Sequence, residues 1–442
     1  MRKVSITDKE LMNLPATGLD WPFLRKRPIF IKDAPSFEPI YYKPRFAQPQ
    51  ISKPSDFVPR MIYDCTFGGS SQQPCNPPTL HAKYFDKLPH FYQLKSPADS
   101  TLVFESRFES GNLHKATQIA EFEYDLDLKN DHGASVPLTQ WFYFRFSNTR
   151  KGQMYRFNII NLIKPDSSYN HGMRPLMYSK KDADLVQNGW HRAGSDIKYG
   201  ASKKKSLTQP TVFYTLSFCI EAPHDGDTIY LAHCYPYTYS DALELLQRLC
   251  QPETKDRIRK TVVCKTIAGN ECEMAIITNF SSRPEEIAVR RAIIITGRVH
   301  PGESNASFIV EGMLNFLVSD DEVARYLRNN FVFKVIPMLN PDGVLIGNYR
   351  TSLSGLDLNR QWIAPSMKLC PENCATKMMM RKTLESRDIL FYCDVHGHSR
   401  SKNLFMYGCS NQRADRLKER IFPLLYQKNT DFFSFDYCNF QI

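Results

Sequence analysis

Hydrophobic and polar positions change their period along the 442-residue chain. Between residues 100 and 238, short apolar and aromatic segments are broken by turn-forming residues. The clearest segments are "ATQIAEFEYDLDL" (116–128), "QWFYFRFSN" (140–148), "MYRFNIINL" (154–162), "YTLSFCIEA" (214–222) and "TIYLAHCYP" (228–236). The first alternates polar and apolar side chains, as a strand with one buried face does. This region predicts an antiparallel β-sandwich domain.

From residue 239 to residue 442, predicted strands alternate with predicted helices. The apolar runs are "AIIIT" (292–296), "FVFKVIPML" (331–339), "ILFYCDVH" (389–396) and "NLFMYG" (403–408). Helical spacing is found in "SDALELLQRLC" (240–250), "SNASFIVEGMLNFLV" (304–318), "TKMMMRKTLESRD" (376–388) and "QRADRLKERIFPLLYQK" (412–428). Continuous apolar runs are typical of strands that are buried on both faces. The alternation predicts an α/β domain.

The first 99 residues show neither the alternation of a strand nor the spacing of a helix. They hold fourteen of the 28 prolines, together with scattered aromatic residues. Proline lacks a backbone donor and restricts the residue before it, so we expect an extended, irregular arm over residues 1–99.

The charge balance indicates what the protein binds. The chain has 57 lysine and arginine residues against 46 acidic ones, a formal net charge of +11. A basic surface favours acidic partners. The sequence contains no RNA-recognition, zinc-finger or helix-turn-helix signature, which disfavours nucleic acid as the partner.

Cysteine spacing and hydropathy give expectations about the compartment. No apolar run approaches the eighteen or so residues of a membrane span, and the first residues do not resemble a secretory signal. The twelve cysteines are scattered, without a CxxC framework. We therefore expect no membrane association and reduced thiols in a cytosolic protein.

Candidate metal ligands follow two of the predicted strands. His300 and Glu303 lie three residues apart in "HPGE", after "AIIIT", and His396 ends "ILFYCDVH". Functional groups gather where the strands of an α/β sheet end. Two histidines and one carboxylate with an open fourth position form a known arrangement for catalytic zinc. A His-x-x-Glu pair alone is often a surface turn, and one histidine alone is often a packed residue, so the combination carries the prediction.

A second group of polar residues lies in "NYRTSLSGLDLNRQW" (348–362). Arg350, Asn359 and Arg360 offer the planar and amide donors that bind a carboxylate. Asp357 is positioned in sequence to accept the free ring N–H of a metal-bound histidine. The alternative is a polar surface loop with one ion pair.

Together these motifs resemble one family. "HPGES", "PMLNPDGV", "GLDLNRQW", "DVHGHSR" and "FMYGC" are similar to the cytosolic carboxypeptidases, a branch of the zinc metallocarboxypeptidases. "RFESGNLHKA", "QWFYFRFSN" and "HGMRPLMYS" resemble the N-terminal β domain of that branch. The resemblance covers roughly residues 100–442. It implies a mixed sheet flanked by helices over residues 239–442, preceded by an antiparallel β-sandwich over residues 100–238.

The resemblance also assigns the zinc site. It implies that His300, Glu303 and His396 bind one zinc ion per chain. It implies that Asp357 is the hydrogen-bond partner of His300. His398, the second histidine of "HGHS", is expected to line the pocket or to be structural.

The resemblance implies a substrate and a location. Asn359, Arg360 and Arg350 would bind the carboxylate of the substrate, and Arg350 would polarise the scissile carbonyl as a catalytic residue. The family removes glutamate from polyglutamate side chains or from the C-termini of tubulin and other acidic-tailed proteins. Microtubules or other polyglutamylated proteins are therefore the expected partners. The cytosol, with the cilium, basal body or centriole, is the expected location.

One catalytic residue of the family is not found. The family carries its general-base glutamate on a strand after a segment that resembles "FFSFDYCNF" (432–440), and we expect that strand beyond Ile442. Asp394 and Glu385 are weaker candidates for the base. The alternative is a chain that binds acidic tails without hydrolysing them. An amidohydrolase of the aspartoacylase kind shares the His-x-x-Glu pair and "DLNR", but the β domain and "HGHSR" argue against it.

Overall fold

The computed structural model of the protein describes residues 57–66, 90–205, 212–399, 401, 403–409 and 417–440. The described residues fall into two compact units that divide after Gly397. Most of the predicted arm, residues 1–56 and 67–89, lies outside the described residues. Irregular structure is predicted for the whole arm, yet Arg60–Asp64 forms strand β1 and pairs with the sandwich.

The sandwich region contains two sheets. Its elements are β1, β2 (Val103–Glu105), β3 (Leu113–Ala120), β4 (Glu123–Leu128), β5 (Tyr143–Ser147), β6 (Met154–Leu162), β7 (Leu176–Ser179), helix α1 (Lys180–Val186), β8 (His191–Arg192), β9 (Ser195–Lys205), β10 (Val212–Glu221) and β11 (Ile229–Ala232). One sheet has the order β1-β3-β4-β6-β10-β9 and the other β2-β5-β11-β7-β8.

The two sheets enclose an aromatic core. Phe144 and Phe146 in β5 and Phe157 in β6 are fully buried, because alternate residues of each strand point between the sheets. The predicted segment 116–128 is a hairpin of β3 and β4, with its turn at residues 121–122. The strands pair antiparallel as predicted, except that β4 runs parallel to β6.

The following region forms the α/β domain. Its elements are α2 (Tyr239–Leu249), β12 (Ile258–Lys265), β13 (Glu271–Ile277), α3 (Pro284–Ala288), β14 (Arg291–Gly297), α4 (Ser304–Val318), α5 (Glu322–Asn330), β15 (Phe331–Ile336), α6 (Pro341–Ile346), α7 (Pro371–Ser386) and β16 (Ile389–Val395). The sheet order is β12-β13-β15-β14-β16. Its last three strands are parallel, whereas β13 is antiparallel to both of its neighbours. The sheet is therefore mixed, as the resemblance implies.

Helices cover both faces of this sheet. On one face, Leu245 of α2 and Val310 and Leu314 of α4 pack against strand residues such as Ile295 and Val335. On the other face, Met379 of α7 packs with Met274 of β13 and Ile336 of β15. Both faces of β14 are thereby buried, which explains its continuous apolar sequence.

The unit after Gly397 contains helix α8 (Lys418–Asn429). The segment 403–408 is predicted as a strand, but it makes only isolated bridges, Leu404 with Phe433 and Tyr407 with Asn439. The predicted helix 412–428 overlaps α8, and its residues 412–416 lie outside the described residues. Across the described ranges, no helix is both long and apolar enough to cross a membrane.

Candidate metal centre

Two parallel strands deliver the predicted histidines to one edge of the sheet. β14 and β16 pair in register, with Thr296 opposite Asp394 and Gly297 opposite Val395. His396 follows β16 directly, and His300 follows β14 after two further residues. Because the carboxyl ends of parallel strands meet at one edge, the pairing register brings both imidazole rings together. Their ring centroids are 5.0 Å apart.

A tight turn brings Glu303 back to His300. The Glu303 N–H donates to the carbonyl of His300 at 3.1 Å, and α4 begins at the next residue. Gly302 lies against Tyr349, whose carbonyl accepts the Gly302 N–H at 2.8 Å. A Cβ at position 302 would lie 2.6 Å from a ring carbon of Tyr349. The turn therefore requires glycine at that position.

A buried arginine donates a hydrogen bond to the turn between His300 and Glu303. Arg298 is 1% exposed, and its Nε donates to the carbonyl of Pro301 at 2.8 Å. Its Nη1 donates to the carbonyl of Tyr237 and to Ser307 Oγ, both at 2.9 Å. Burial lowers the pKa of Arg298 to about 10. Its φ of 58° is uncommon for a residue other than glycine. No pattern in the sequence indicates this role.

One carboxylate faces both histidines. Nδ1 of His300 lies 3.0 Å from Glu303 Oε1, and Nδ1 of His396 lies 3.0 Å from Glu303 Oε2. The Gly397 N–H donates to Glu303 Oε2 at 2.8 Å. One ligand atom from each of the three side chains lies within 4.8 Å of the other two. The structure thus brings the three sequence-predicted ligands together.

The outward nitrogens of the rings each meet a further carboxylate. Nε2 of His300 lies 3.1 Å from Asp357 Oδ1, and Nε2 of His396 lies 2.8 Å from Asp394 Oδ2. Asp394 also accepts a hydrogen bond of 2.7 Å from Thr296 Oγ1. A carboxylate on the far nitrogen orients an imidazole and leaves the near nitrogen for a metal.

The electrostatics of the centre favour a cation between these side chains. Burial opposes protonation of His396, but Asp394 and Glu303 outweigh burial and raise the pKa of His396 to about 10. Burial also disfavours the Glu303 carboxylate, yet hydrogen bonds from His300 and His396 lower its pKa to about 2. Three carboxylates around one buried imidazole, His300, and one half-buried imidazole, His396, create a negative potential. A divalent ion with N and O ligands fits this donor set.

The predicted carboxylate-binding residues lie beside the centre. Arg350 donates from Nε and Nη2 to Asp357 Oδ2, at 2.9 and 2.8 Å, and its side chain is 31% exposed. The Asn359 N–H donates to Asp357 Oδ1 at 2.9 Å. Arg360 is exposed, and its Nη1 donates to the carbonyl of Asn359 at 3.2 Å. Asp357 therefore links His300 to Arg350, while binding of a substrate by Arg350, Asn359 and Arg360 stays a prediction.

Three other residues that the sequence singles out have different surroundings. Asp394 is offered by the sequence only as a candidate base, but the structure gives both of its oxygens hydrogen-bond partners and makes it the partner of His396. The signal was the sequence D-x-H at a strand end, which puts both side chains on one face. Glu385 is exposed on α7. His398, in the other unit, accepts the Ser401 N–H at its Nδ1.

Comparison with known proteins is consistent with this site. The chain matches the zinc carboxypeptidase family over residues 243–431 and the cytosolic carboxypeptidase N-terminal domain over residues 104–233. It is 49% identical over 352 residues to cytosolic carboxypeptidase 2 of Mus musculus, an alignment that covers 79% of this chain and 40% of the relative. It is 38% identical over 441 residues to cytosolic carboxypeptidase 3 of Mus musculus, covering 98% of this chain and 42% of the relative.

A solved structure shares the fold. A putative carboxypeptidase A from Shewanella denitrificans aligns with a TM-score of 0.61 and 24% identity, covering 76% of this chain and 81% of that one. The chain spans about two fifths of the length of the curated relatives it matches. Zinc is the metal that the family match implies for the three converging ligands.

Proposed function

The chain belongs to the cytosolic carboxypeptidase branch of the zinc metallocarboxypeptidases, and from this premise we propose that it removes C-terminal glutamate from acidic polypeptides. The observation that carries the proposal is the convergence of His300, Glu303 and His396, with a carboxylate behind each ring. These three side chains would hold a catalytic zinc ion.

Different residues would bind the metal and orient the metal ligands. His300 and His396 would present Nδ1 to the ion, and Glu303 would present its carboxylate. When bound, zinc supplies Lewis acidity. Asp357 and Asp394 each hold an Nε2–H, which fixes the tautomer and the orientation of the ring.

The substrate's terminal carboxylate would bind beside the metal. Arg360 has an exposed guanidinium, whose planar donors match a carboxylate in two parallel hydrogen bonds. Asn359 precedes it in the same 3₁₀ turn, Leu358–Arg360, and adds an amide. Arg350 donates to Asp357 and is partly exposed, and it would polarise the scissile carbonyl. These donors would orient the C-terminal residue of a bound polypeptide.

The proposed partners are acidic tails. The net charge of +11 favours an anionic polypeptide, such as the glutamate-rich tails of tubulin or other polyglutamylated proteins. The relatives are named cytosolic, and we place this protein in the cytosol on that basis, with cilium and basal body as candidate sites of action.

A specific observation favours a second candidate, a binder of acidic tails without turnover. Hydrolysis needs a carboxylate that accepts a proton. Glu303 is occupied by two histidines and the Gly397 N–H, and Asp357 and Asp394 each accept two or more hydrogen bonds. Glu303, Asp357 and Asp394 are thus engaged in the described centre, as a binder without turnover would have them. Under the first proposal, the proton acceptor comes from the additional length that the relatives have.

The test compares two lengths of the protein on two peptides. The 442-residue chain and a version extended past Ile442 with its own downstream sequence are loaded with zinc. Each is given a peptide ending in glutamate and a matched peptide ending in glutamine. We expect the extended version to release glutamate and to leave the glutamine peptide largely intact.

Three outcomes separate the candidates. An extended version that binds zinc but leaves both peptides intact contradicts the proposed substrate. Salt-sensitive binding of the glutamate peptide without turnover by either length favours the binder. Turnover by the 442-residue chain eliminates the binder. His396→Ala in the extended version controls for contaminating peptidases, because it removes a ligand and should abolish release.

A further inference from the structure

A buried carboxylate of the sandwich binds the loop that carries Arg350. Asp131 lies between β4 and β5 and is 4% exposed. Its Oδ1 accepts the Tyr349 N–H at 2.6 Å. Its Oδ2 accepts the N–H groups of Arg350 and Thr351, at 2.7 and 2.8 Å, and the Thr351 hydroxyl at 3.2 Å. Three consecutive backbone donors therefore converge on one side chain from another domain, more than 200 residues away in sequence.

Neighbours of Asp131 make further contacts with the same loop. The His132 N–H donates to Asn348 Oδ1 at 2.9 Å, and its Nδ1 lies 3.0 Å from the carbonyl of Leu353. Gly355 has a φ of 76°, and a Cβ there would overlap the carbonyl of Gly133. The two loops are thus in close contact along residues 131–133 and 348–355.

Two sets of hydrogen bonds connect this loop to the metal ligands. The carbonyl of Tyr349 accepts the Gly302 N–H, in the turn between His300 and Glu303. The side chain of Arg350 holds Asp357, which holds Nε2 of His300. A change in the position of residues 349–351 would therefore shift the ligand turn and the partner of His300 together.

We propose that Asp131 is a positioning residue, through which the sandwich domain sets the metal-ligand turn and the orientation of Arg350. The role in catalysis rests on the proposed function, whereas the role in metal binding does not. Only a carboxylate offers two acceptor oxygens to three N–H groups without presenting a donor of its own. Asparagine has nearly the same shape, but its amide NH₂ would face a backbone N–H.

The test uses Asp131→Asn with a matched control in the same domain. Asp227 is also fully buried, and it accepts the N–H groups of Lys181 and Thr228 and the hydroxyl of Ser179 within the sandwich. Asp227→Asn should lower thermal stability to a similar extent without touching the loop at residues 349–351. Zinc affinity is measured by chelator competition at a temperature where both variants are folded.

We expect Asp131→Asn to weaken zinc binding about tenfold, the low end of what losing an outer partner of a ligand costs. Asp227→Asn should leave zinc affinity unchanged. In the extended version, Asp131→Asn should also raise KM for the glutamate peptide, because Arg350 is displaced. Equal losses of zinc affinity in both variants, or an unchanged affinity in Asp131→Asn, would overturn the proposal.

A milder variant covers the case in which Asp131→Asn does not fold. Thr351→Val removes only the hydroxyl among the four groups that donate to Asp131. It should weaken zinc binding in the same direction, about two- to threefold. No change in zinc affinity for this variant would count against the proposal. Because zinc affinity needs no substrate, these outcomes stay separate from a failure of the peptidase assay.

Discussion

His300 and His396 face the same carboxylate, that of Glu303. The carboxylates that contact their outward nitrogens lie at different distances along the sequence. Asp394 lies two residues before His396 on the same strand, and Thr296 of the neighbouring strand fixes it. Asp357 lies 57 residues after His300, in a loop that also holds Arg350. The His396 side of the centre is therefore built locally by one sheet edge. The His300 side is assembled from distant segments.

This difference gives the two sides of the centre different connections to Arg350. Among the described residues, the hydrogen bonds of Asp394 go to Thr296 and His396 and to no arginine. Asp357 joins a metal ligand to Arg350, a candidate substrate group. Under the proposed function, perturbing the His300 side should change metal binding and substrate binding together, whereas perturbing the His396 side should change metal binding only.

The largest effect is expected from removing a metal ligand. His300→Ala and His396→Ala should each lose zinc to an equimolar chelator, because two remaining ligands hold zinc far more weakly than three. His398→Ala is the matched control, since His398 lies outside the converging group. The measurement is bound zinc per chain after dialysis. Retention of zinc by His396→Ala would contradict the ligand assignment.

The next effect distinguishes the two sides of the centre. Asp357→Asn and Asp394→Asn should each weaken zinc binding by about 10- to 100-fold, because each orients one imidazole. Only Asp357→Asn should also weaken binding of a glutamate-ended peptide when zinc is saturating, because it releases Arg350. Titration of both variants with zinc and then with peptide checks this. Equal peptide affinities in the two zinc-loaded variants would contradict the proposed difference between the His300 side and the His396 side.

A smaller effect is expected from Arg298, which donates to the turn between His300 and Glu303. Arg298→Ala leaves the carbonyls of Pro301 and Tyr237 without a buried donor, and should lower the free energy of unfolding by about 2–4 kcal/mol. Arg328 is the matched control, a buried arginine that donates to the carbonyls of Leu317 and Ser319. Arg328→Ala should destabilise the fold similarly and keep zinc affinity. Urea unfolding measures the stability of the Arg298→Ala and Arg328→Ala variants, and zinc titration measures their zinc affinity.

The smallest effect concerns the helix behind the His300 side. Asn373 of α7 donates to the carbonyl of Leu358, next to Asp357, and its neighbour Glu372 is 1% exposed. Burial raises the pKa of Glu372 to about 7 from an ordinary 4.5. The folded protein then holds the proton more tightly than the unfolded chain. Stability contributed by this group is greatest below pH 4.5 and falls as the pH rises towards 7.

Glu372→Gln removes that titration. The variant should gain stability relative to the parent between pH 5 and pH 8, by up to about 3 kcal/mol, because glutamine carries no charge to bury. Thermal unfolding at pH 5, 6 and 8 measures the difference. A stability difference that stays constant over this pH range would show that Glu372 does not titrate there.

The sequence could predict the parts of the fold that depend on periodicity. The helix Ser304–Val318 has the bounds that its spacing predicts, and β6 coincides with its predicted segment. The start of α7 at Pro371 was missed, although proline is a favoured first helical residue. The antiparallel pair β12 and β13 was also missed, because half of the β12 side chains are exposed and carry charges or hydroxyls.

The candidate site was predictable only as far as chemistry and chain order allow. His300, Glu303 and His396 carry ligand atoms and follow apolar strands, so their residue types point to a metal. Asp131 and Arg298 act through backbone N–H and carbonyl groups, which every residue has. Contacts of that kind leave no pattern of residue types, and only the tertiary structure shows them.

The most direct test of the central claim is X-ray absorption at the zinc edge on the zinc-loaded 442-residue chain. We expect one ion per chain, with nitrogen and oxygen ligands at about 2.0–2.2 Å and the scattering pattern of two imidazoles. A second group that brings metal-binding atoms together, Asp64, Cys65 and His114, includes a thiol. Sulfur scattering at about 2.3 Å, or an unchanged spectrum in His396→Ala, would contradict the claim that His300, Glu303 and His396 hold the ion.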